Sequence, residues 1–355
     1  MIEAPTIAAA PAADAPQFQP ELKLFENHLR LKGRAQSTIE GYLRDTHAFL
    51  RDSSVQTLSS ITLEIVQKWD DEIAKKSPAT RARYRNAVRC FLEYGQSCLS
   101  IPQISGLSPL FVPTHDPKIP TQEELLLILN SHRIEKSHPV EFRDAAIVCL
   151  IAMTGVRRSE LRLLNIGDVF IDKSNFQIIA TSPKKQGERR IINFGDLSKP
   201  YDISAAFFGK YFTYRLVDMG GRNSHKALSA PLFAPIEEPT RRFSIRRINK
   251  ILDAATARVH DSVRTLSFVT PHTLRHFFAT FCYANGMTIE NIRKYMGHAN
   301  ISTTERYIHL AEKITGTQAR EHGPMVGLKA GQEHYMGSPD HQLTYFRTLI
   351  QPAQN

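Results

Sequence analysis

The chain has 355 residues, of which 42% are hydrophobic, and this length allows two domains with a sizeable core. Its 45 Lys and Arg residues against 35 Asp and Glu residues give a formal net charge of +10, which predicts a polyanionic partner. Nucleic acid fits better than a membrane surface, because the sequence has neither a long apolar run nor a strongly basic amphipathic helix.

Residues 1–18 are rich in Ala and Pro and predict a disordered arm. They lack the basic start and the long apolar centre of a signal peptide, so we expect the protein to stay in the cytoplasm. The four cysteines show neither metal-ligand spacing nor the context of a disulfide framework, which predicts reduced thiols. They are Cys90, Cys98, Cys149 and Cys282.

A helical pattern extends over residues 19–103. One helix is expected from about Thr80 to Tyr94, with Gly95 as its end. On it Arg81 and Arg85 lie four residues apart, a spacing that suits two phosphates of a duplex backbone. A solvated basic face explains the same spacing equally well. Prolines without helical periodicity then predict a linker over residues 104–120.

The second domain, residues 121–311, contains a strongly apolar helix from about Phe142 to Met153, which predicts burial on most sides. The sequence T-G-V-R-R-S-E-L follows it directly. Gly155 is expected to end the helix and to place Arg157 near the start of the next one, where free amides and the helix dipole favour an anion. An ordinary surface arginine is the alternative.

Residues 168–193 alternate β-type runs with turns and predict a small antiparallel sheet. The turn S-P-K-K-Q-G-E-R-R between its last two strands carries Lys184 and Lys185. If the protein cleaves a nucleic-acid phosphodiester, a lysine there could protonate the leaving 5′-oxygen. Otherwise it could be a solvated turn residue. Around a basic helix predicted from about 244 to 259, further arginines could contact DNA phosphates or form a solvated face. They are Arg241, Arg242 and Arg246.

The stretch 270–310 predicts three short helices with a common polar side. Pro271 opens the first, which places His272 and Arg275 on one face, and the opposite face is an apolar stripe. The stripe consists of Leu274, Phe277, Phe278 and Phe281. The second helix is expected to end at Gly297, immediately before His298. Ser302 and Glu305 have capping-box spacing for a third helix, which would present Tyr307.

These residues are suited to nucleophilic attack by tyrosine on a phosphodiester. A phenol has a pKa of about 10, so it needs nearby positive charge to stabilise the developing phenolate and the transition state. Two alternatives exist. Tyr307 could be a core tyrosine. His272 and His276 could bind zinc with Cys282, but Arg275 would then lie beside the cation, and Cys282 is out of register.

H-x-x-R, G-H and T-T-x-R-Y in this order, after T-G-V-R-R-S-E-L, resemble the tyrosine recombinase (phage integrase) family. The resemblance implies a catalytic role for Arg157, Lys185, His272, Arg275 and His298, with Tyr307 as the nucleophile. It assigns Glu160 to support of the site. Lys184 competes with Lys185, because Lys184 and Gln186 replace the usual glycines of the family's turn. Neither a metal nor a cofactor is expected.

The resemblance also implies a mainly α (α+β) fold. A helical, SAM-like core-binding domain would occupy residues 19–103 and a mostly helical catalytic domain with a small antiparallel sheet residues 121–311. The two would close around a DNA duplex, and the tail 312–355 would dock on a neighbouring protomer.

The implied activity is site-specific recombination of double-stranded DNA through a 3′-phosphotyrosyl intermediate, serving integration, excision or resolution, as in mobile elements. A homotetramer on two duplexes in the bacterial cytoplasm or nucleoid is expected, alone or with an accessory protein or partner recombinase. Two other functions remain open at this point. A type IB topoisomerase-like enzyme would religate the same strand, and a non-catalytic DNA-binding regulator would need no nucleophile.

Overall fold

The chain divides into two units, residues 1–115 and residues 116–355. The computed structural model describes residues 18–112, 117–132, 138–172, 174–183, 187–196, 202–221, 224–259, 266, 268–298, 304, 305 and 307. The predicted arm, apart from Phe18, and the predicted tail 312–355 lie outside these ranges, so both stay predictions. None of the helices in these ranges has the length and apolar character needed to span a membrane.

The first unit is helical where the structure describes it. Its helices are α1 (Gln19–Leu31), α2 (Gln36–Asp52), α3 (Leu63–Ile73) and α4 (Pro78–Cys98). Aromatic side chains join them in one core: Phe25 of α1 meets Phe91 of α4 at a ring-centroid distance of 5.3 Å, and Phe49 of α2 meets Trp69 of α3 at 5.1 Å. This core fixes the four helices relative to one another.

The prediction that α4 ends at Gly95 is wrong, because the helix continues to Cys98. Glycine is needed there for packing instead. A Cβ at Gly95 would lie 2.2 Å from Cδ1 of Ile101, so only a residue without a side chain lets the following chain fold back on the helix. From there, Ile104 and Leu107 at the start of the predicted linker pack against the core of the first unit.

The second unit surrounds one deeply buried helix. Its helices are α5 (Gln122–Asn130), α6 (Pro139–Thr154), α7 (Arg158–Leu163), α8 (Lys210–Asp218), α9 (His225–Ser229), α10 (Ile245–Val259), α11 (Pro271–Ala284) and α12 (Ile289–Met296). Every residue of α6 from Arg143 to Thr154 is buried, as its apolar sequence predicted. A π-helical segment, Ser204–Gly209, leads into α8 and packs on α6, as does α11.

The predicted antiparallel sheet is present. Its strands β1 (Val169–Asp172), β2 (Asn175–Thr181) and β3 (Arg189–Phe194) lie in the order β1-β2-β3. Phe176 pairs with Phe194 and Ile178 with Ile192, so alternate residues of both strands face the core. The predicted mainly helical fold with a small antiparallel sheet is therefore confirmed.

Candidate active site

Four segments of the second unit bring polar side chains together around one tyrosine. They are the junction of α6 and α7, strand β3, the first half of α11, and the chain that follows α12. The side chains are those of Arg157, Glu160, Arg190, Arg275, His276, His298 and Tyr307. The four segments are far apart in sequence, so the tertiary fold brings these side chains together.

The turn between α6 and α7 fixes Arg157. Gly155 ends α6 in the left-handed conformation, with φ of 59°, and a Cβ there would lie 2.5 Å from Cδ1 of Phe278. The backbone N–H of Arg157 donates to Glu160 at 2.9 Å. Its guanidinium donates to Glu160 at 3.0 Å and to the carbonyl of Gly297 at 2.9 Å. The Arg157 side chain stays 27% exposed, so an anion can reach it.

Glu160 is a fully buried carboxylate held by two arginines. Arg190 donates to Oε1 at 2.9 Å and to Oε2 at 2.8 Å, in addition to the bonds from Arg157. Burial alone would raise the pKa of Glu160, but the hydrogen bonds and positive charges of Arg190 and Arg157 outweigh it and lower the pKa to about 2. Glu160 is thus ionised at neutral pH and orients Arg157.

Arg190 is a member of this group that the sequence analysis missed. It lies on β3 in register with the buried Ile192 and Phe194, which places its side chain on the inner face of the sheet. Its Nε also donates to the carbonyl of Tyr295 at 2.8 Å, so it links the sheet to α12. An arginine on the buried face of a strand requires an anionic partner, and this pattern was the signal that could have identified it.

Arg275 is only 4% exposed, although the helical pattern had placed it with the exposed His272 on a polar face. Its guanidinium donates to the carbonyls of Gly155 and Met296, at the C-terminal ends of α6 and α12. These carbonyls carry the negative ends of the two helix dipoles, which compensates for burying the cation. Burial and the charge of Arg157 lower the pKa of Arg275 to about 9, so it remains charged at pH 7.

His298 is held between Arg275 and Thr304. A guanidinium can only donate, so Nε2 of His298 accepts from Arg275 at 3.1 Å. Nδ1 therefore carries the ring proton and donates it to Oγ1 of Thr304 at 2.9 Å. Burial first, and then the charges of Arg275, Arg157 and Arg190, lower the pKa of His298 to about 3. His298 is a neutral ring of known tautomer at pH 7.

Tyr307 lies within this group and is 3% exposed. Its hydroxyl is 3.1 Å from Nδ1 of His276, and its ring stacks on His298 with a centroid distance of 6.1 Å. Apolar side chains of α11 and α12, including Phe278 and Met296, form one buried cluster with Tyr307. Thr304, Glu305 and Tyr307 are helical, whereas Ser302 of the predicted capping box lies outside the described residues.

His276 had been considered only as half of a zinc pair with His272. Its Nδ1 instead contacts Tyr307, and its ring packs against that of His272 at a centroid distance of 4.3 Å. Cys282 is buried, and burial raises the pKa of its thiol far above the usual range. Within the described part of the chain, no three His, Cys, Asp or Glu side chains cluster as metal ligands would.

A cleft of about 250 Å³ opens beside His298. It is lined by Ser182, Glu188, Arg190, Arg293, Lys294, Gly297 and His298. Three of these side chains are cationic and one is acidic, and each cation also pairs with a carboxylate, Arg190 with Glu160 and both Arg293 and Lys294 with Glu290. Lys184 and Lys185 lie outside the described residues, in the chain that connects the paired strand ends Thr181 and Arg189.

The arginines predicted to contact DNA divide into two groups. Arg81 and Arg85 both pair with Asp70, at 2.5 and 3.0 Å. Arg242 likewise bonds within the protein, to the carbonyl of Arg162 at 3.0 Å and to Asn165 at 2.5 Å.

Arg241 and Arg246, by contrast, are exposed. Arg241 pairs only at the surface, with Glu238 at 2.8 Å. The bonds within the protein give Arg81, Arg85 and Arg242 a structural role that the sequence did not indicate. For all five, contact with DNA stays a prediction.

Two family models match the chain. The phage integrase family matches residues 120–313, and the SAM-like N-terminal domain of phage integrases matches residues 22–96. A tyrosine recombinase XerD from Oceanobacillus iheyensis is 28% identical over 301 residues, which covers 81% of this chain and 93% of the relative. A tyrosine recombinase XerC from Thermodesulfovibrio yellowstonii is 27% identical over 293 residues, covering 81% and 90%.

Solved structures share the fold. A XerH site-specific recombinase in a post-cleavage complex with palindromic difH substrate has a TM-score of 0.60 at 18% identity and covers 82% of each chain. A lambda integrase dimer bound to a COC′ core site has a TM-score of 0.59 at 15% identity, covering 81% of this chain and 94% of the other. At these identities the similarity concerns the fold.

Proposed function

This chain belongs to the phage integrase family and is a site-specific recombinase, and we propose that Tyr307 is the nucleophile with which it cuts and rejoins DNA. The observation that carries the proposal is the assembly of three side chains beside one buried tyrosine: Arg157 bonds to Gly297, Arg275 bonds to His298, and the ring of His298 stacks on that of Tyr307. A phenol that attacks phosphorus needs cations and donors at this place.

In the first step, the Tyr307 oxygen bonds to the phosphorus of a DNA phosphodiester. The bond between phosphorus and the 5′-oxygen breaks, which leaves a 3′-phosphotyrosyl link and a 5′-hydroxyl. Because one phosphoester bond replaces another, the bond energy is kept, and the reaction needs no ATP. A 5′-hydroxyl from the partner duplex then attacks the phosphotyrosine and releases Tyr307, which completes the exchange of one strand.

Three side chains would bind the scissile phosphate. Arg157 is reachable from solvent, and Glu160 holds its guanidinium in place. Among the described residues, Arg275 uses three of its five N–H groups, which leaves two for bonds to a phosphate oxygen. A bound phosphate anion would favour the protonated form of His298, whose Nε2 could then turn from Arg275 to the phosphate. These cationic donors provide the charge stabilisation that a metal ion supplies elsewhere, so we propose a metal-independent reaction.

Proton transfer to the leaving 5′-oxygen is assigned to Lys185, with Lys184 as the alternative. Both follow β2 directly, and the neighbouring cleft contains Ser182 and Glu188 from the same connection. His272, exposed on the first turn of α11, would assist proton movement at the entrance of the site.

The assembly follows from the number of bonds. Recombination of two duplexes requires four strands to be cut and rejoined, and each protomer offers one Tyr307, so a homotetramer on two duplexes is proposed. A partner recombinase could supply some of the four tyrosines in place of identical protomers. Since these relatives are bacterial, we place the activity on DNA in the bacterial cytoplasm.

A covalent-capture experiment tests this function. The protein is incubated without metal or ATP with fragmented DNA from the organism that carries the gene, and the mixture is denatured. DNA that stays attached to the protein is sequenced to find the cleavage site. A synthetic duplex with this site carries a nick close to it, so that the short cleaved fragment diffuses away and the covalent intermediate is trapped. An adduct with wild type and none with Tyr307→Phe supports the proposal. Equal DNA binding by both proteins without any adduct would favour the regulator.

A further inference from the structure

The threonine three residues before Tyr307 has no role in the chemistry described so far. Thr304 belongs to the motif T-T-x-R-Y, is 1% exposed, and is helical like Tyr307. Its Oγ1 lies 2.9 Å from Nδ1 of His298. We propose that Thr304 is a positioning residue, which holds His298 in the tautomer and orientation in which Nε2 can bind the scissile phosphate. This inference deepens the function proposed above and rests on it.

Only one placement of the ring proton satisfies both neighbours of His298. The guanidinium of Arg275 can only donate, so Nε2 of His298 accepts from it in the free protein. Nδ1 then carries the proton, and it needs an acceptor because His298 is only 8% exposed. The hydroxyl of Thr304 supplies that acceptor. The other tautomer would place an N–H of the ring against the donors of Arg275.

The bond to Thr304 does not depend on the charge of His298. Nδ1 carries a proton both in this neutral tautomer and in the imidazolium, so it donates to Oγ1 of Thr304 in both forms. When a phosphate favours the protonated ring, Nε2 changes from an acceptor towards Arg275 to a donor towards the phosphate. Thr304 therefore keeps one side of the ring fixed while the other side changes its partner.

The other contacts of His298 fix its main chain or its ring plane. Its backbone N–H donates to the carbonyl of Arg293 at 3.1 Å, and its carbonyl accepts from the guanidinium of Arg293 at 3.4 Å. The ring of Tyr307 stacks on it at an interplanar angle of 17°, which leaves the direction of the ring nitrogens open. The direction of Nδ1 is therefore set by Thr304, which comes from the same short stretch of chain as the nucleophile.

The test compares two substitutions of Thr304. Thr304→Ser keeps the hydroxyl, whereas Thr304→Val keeps the branched shape and removes the acceptor for Nδ1. Glu305→Gln is the matched control, because Glu305 is the next residue in the chain and is exposed. Thermal melting shows whether each variant is folded. Should Thr304→Val fail to fold, the same measurements are made with Thr304→Ala.

Nitrogen–proton NMR of the free protein follows the Nδ1 proton of His298. We expect wild type, Thr304→Ser and Glu305→Gln to show this proton hydrogen-bonded at pH 7. Thr304→Val should lose the resonance or move it to the chemical shift of an unbonded N–H. An unchanged resonance in Thr304→Val, or its absence from wild type, would overturn the inference.

Single-turnover cleavage of the captured DNA site gives the second readout. Thr304→Val should cleave roughly ten- to hundred-fold more slowly than wild type, because small displacements of a positioned group cost this much. Thr304→Ser and Glu305→Gln should stay within a few-fold of wild type. His298→Phe lacks both ring nitrogens, so adding Thr304→Val to it should cause little further loss.

Three kinetic results would overturn the inference. They are cleavage by Thr304→Val at the wild-type rate, cleavage by Thr304→Ser as slow as by Thr304→Val, and losses from Thr304→Val and His298→Phe that multiply in the double variant. Failure of the proposed function would look different. Wild type itself would then form no adduct, whereas the NMR comparison needs no DNA and would still show whether Thr304 holds His298.

Discussion

Arg190 on strand β3 binds both oxygens of the buried Glu160, with distances of 2.9 and 2.8 Å, and thereby connects the sheet to the residue that orients Arg157. Both side chains are largely removed from water, with exposures of 14% and 0%. Removing Arg190 from this pair should be strongly destabilising, because the fully buried Glu160 would keep only its bonds to Arg157. The pair therefore supports Arg157, the arginine proposed to bind the scissile phosphate.

We expect Arg190→Leu to lower the free energy of unfolding by about 3–5 kcal/mol, the usual cost of breaking a buried ion pair. Cleavage should also slow, since Glu160 would hold Arg157 less firmly. Arg189→Leu is the matched control, because Arg189 is the neighbouring residue, 61% exposed and 3.8 Å from Asp168. Urea denaturation and single-turnover cleavage measure both effects. Equal behaviour of the two variants would contradict this role for Arg190.

Glu160 should also make the free energy of unfolding depend on pH in the acidic range. Its pKa is about 2 in the folded protein against an ordinary value of 4.5, so the folded state favours the ionised carboxylate. The resulting stabilisation, about 3 kcal/mol at about 1.4 kcal/mol per pKa unit, is fully present above pH 4.5 and is lost as the pH falls towards 2. The difference in unfolding free energy between wild type and Glu160→Gln should shrink over this window. A constant difference from pH 5 to 2.5 would refute the assignment.

The sequence predicted the residues that lie in short motifs, and missed those that depend on burial. Arg157 and Tyr307 were predicted from motifs that resemble the phage integrase family, and the sheet was predicted from alternating β-type runs. The burial of Arg275 could not be predicted, because its compensation comes from carbonyls at the ends of two helices that tertiary packing brings together.

Arg190 and His276 escaped for related reasons. Arg190 appeared as one of several basic residues beside a turn, and its inner-face register was visible only once β3 was paired with β2. The partner of His276 lies 31 residues farther along the chain, beyond α12, so no helical spacing connects the two. Contacts of this separation are properties of the fold and not of a local pattern.

His298 should remain neutral in the free protein well below the pH at which histidines normally titrate. Its pKa is lowered to about 3, chiefly by burial and then by the charge of Arg275. Long-range proton–nitrogen NMR spectra should show the proton on Nδ1 at pH 7 and no protonation down to pH 5. His298→Gln identifies the signal by its disappearance. A titration midpoint between 6 and 7 in the folded protein would contradict the buried arrangement with Arg275 and Thr304.

Gly297 allows a paired test of strain and site geometry. It has a φ of 60°, and a Cβ there would lie 3.1 Å from a guanidinium nitrogen of Arg190 and 3.4 Å from one of Arg157. Gly286 also has a positive φ, 85°, but a Cβ there would meet nothing within 4 Å. Each change to alanine should cost about 1–2 kcal/mol of stability, because an L-residue is strained in the left-handed region.

Cleavage should separate the two glycine variants. Gly297→Ala should slow adduct formation at least ten-fold, since the new methyl group crowds Arg190 and the strained backbone shifts the carbonyl of Gly297 that holds Arg157. Gly286→Ala should cleave at the wild-type rate once its stability loss is offset by a lower assay temperature. Equal rates for both variants would mean that the contacts of Arg157 and Arg190 at Gly297 do not govern the reaction.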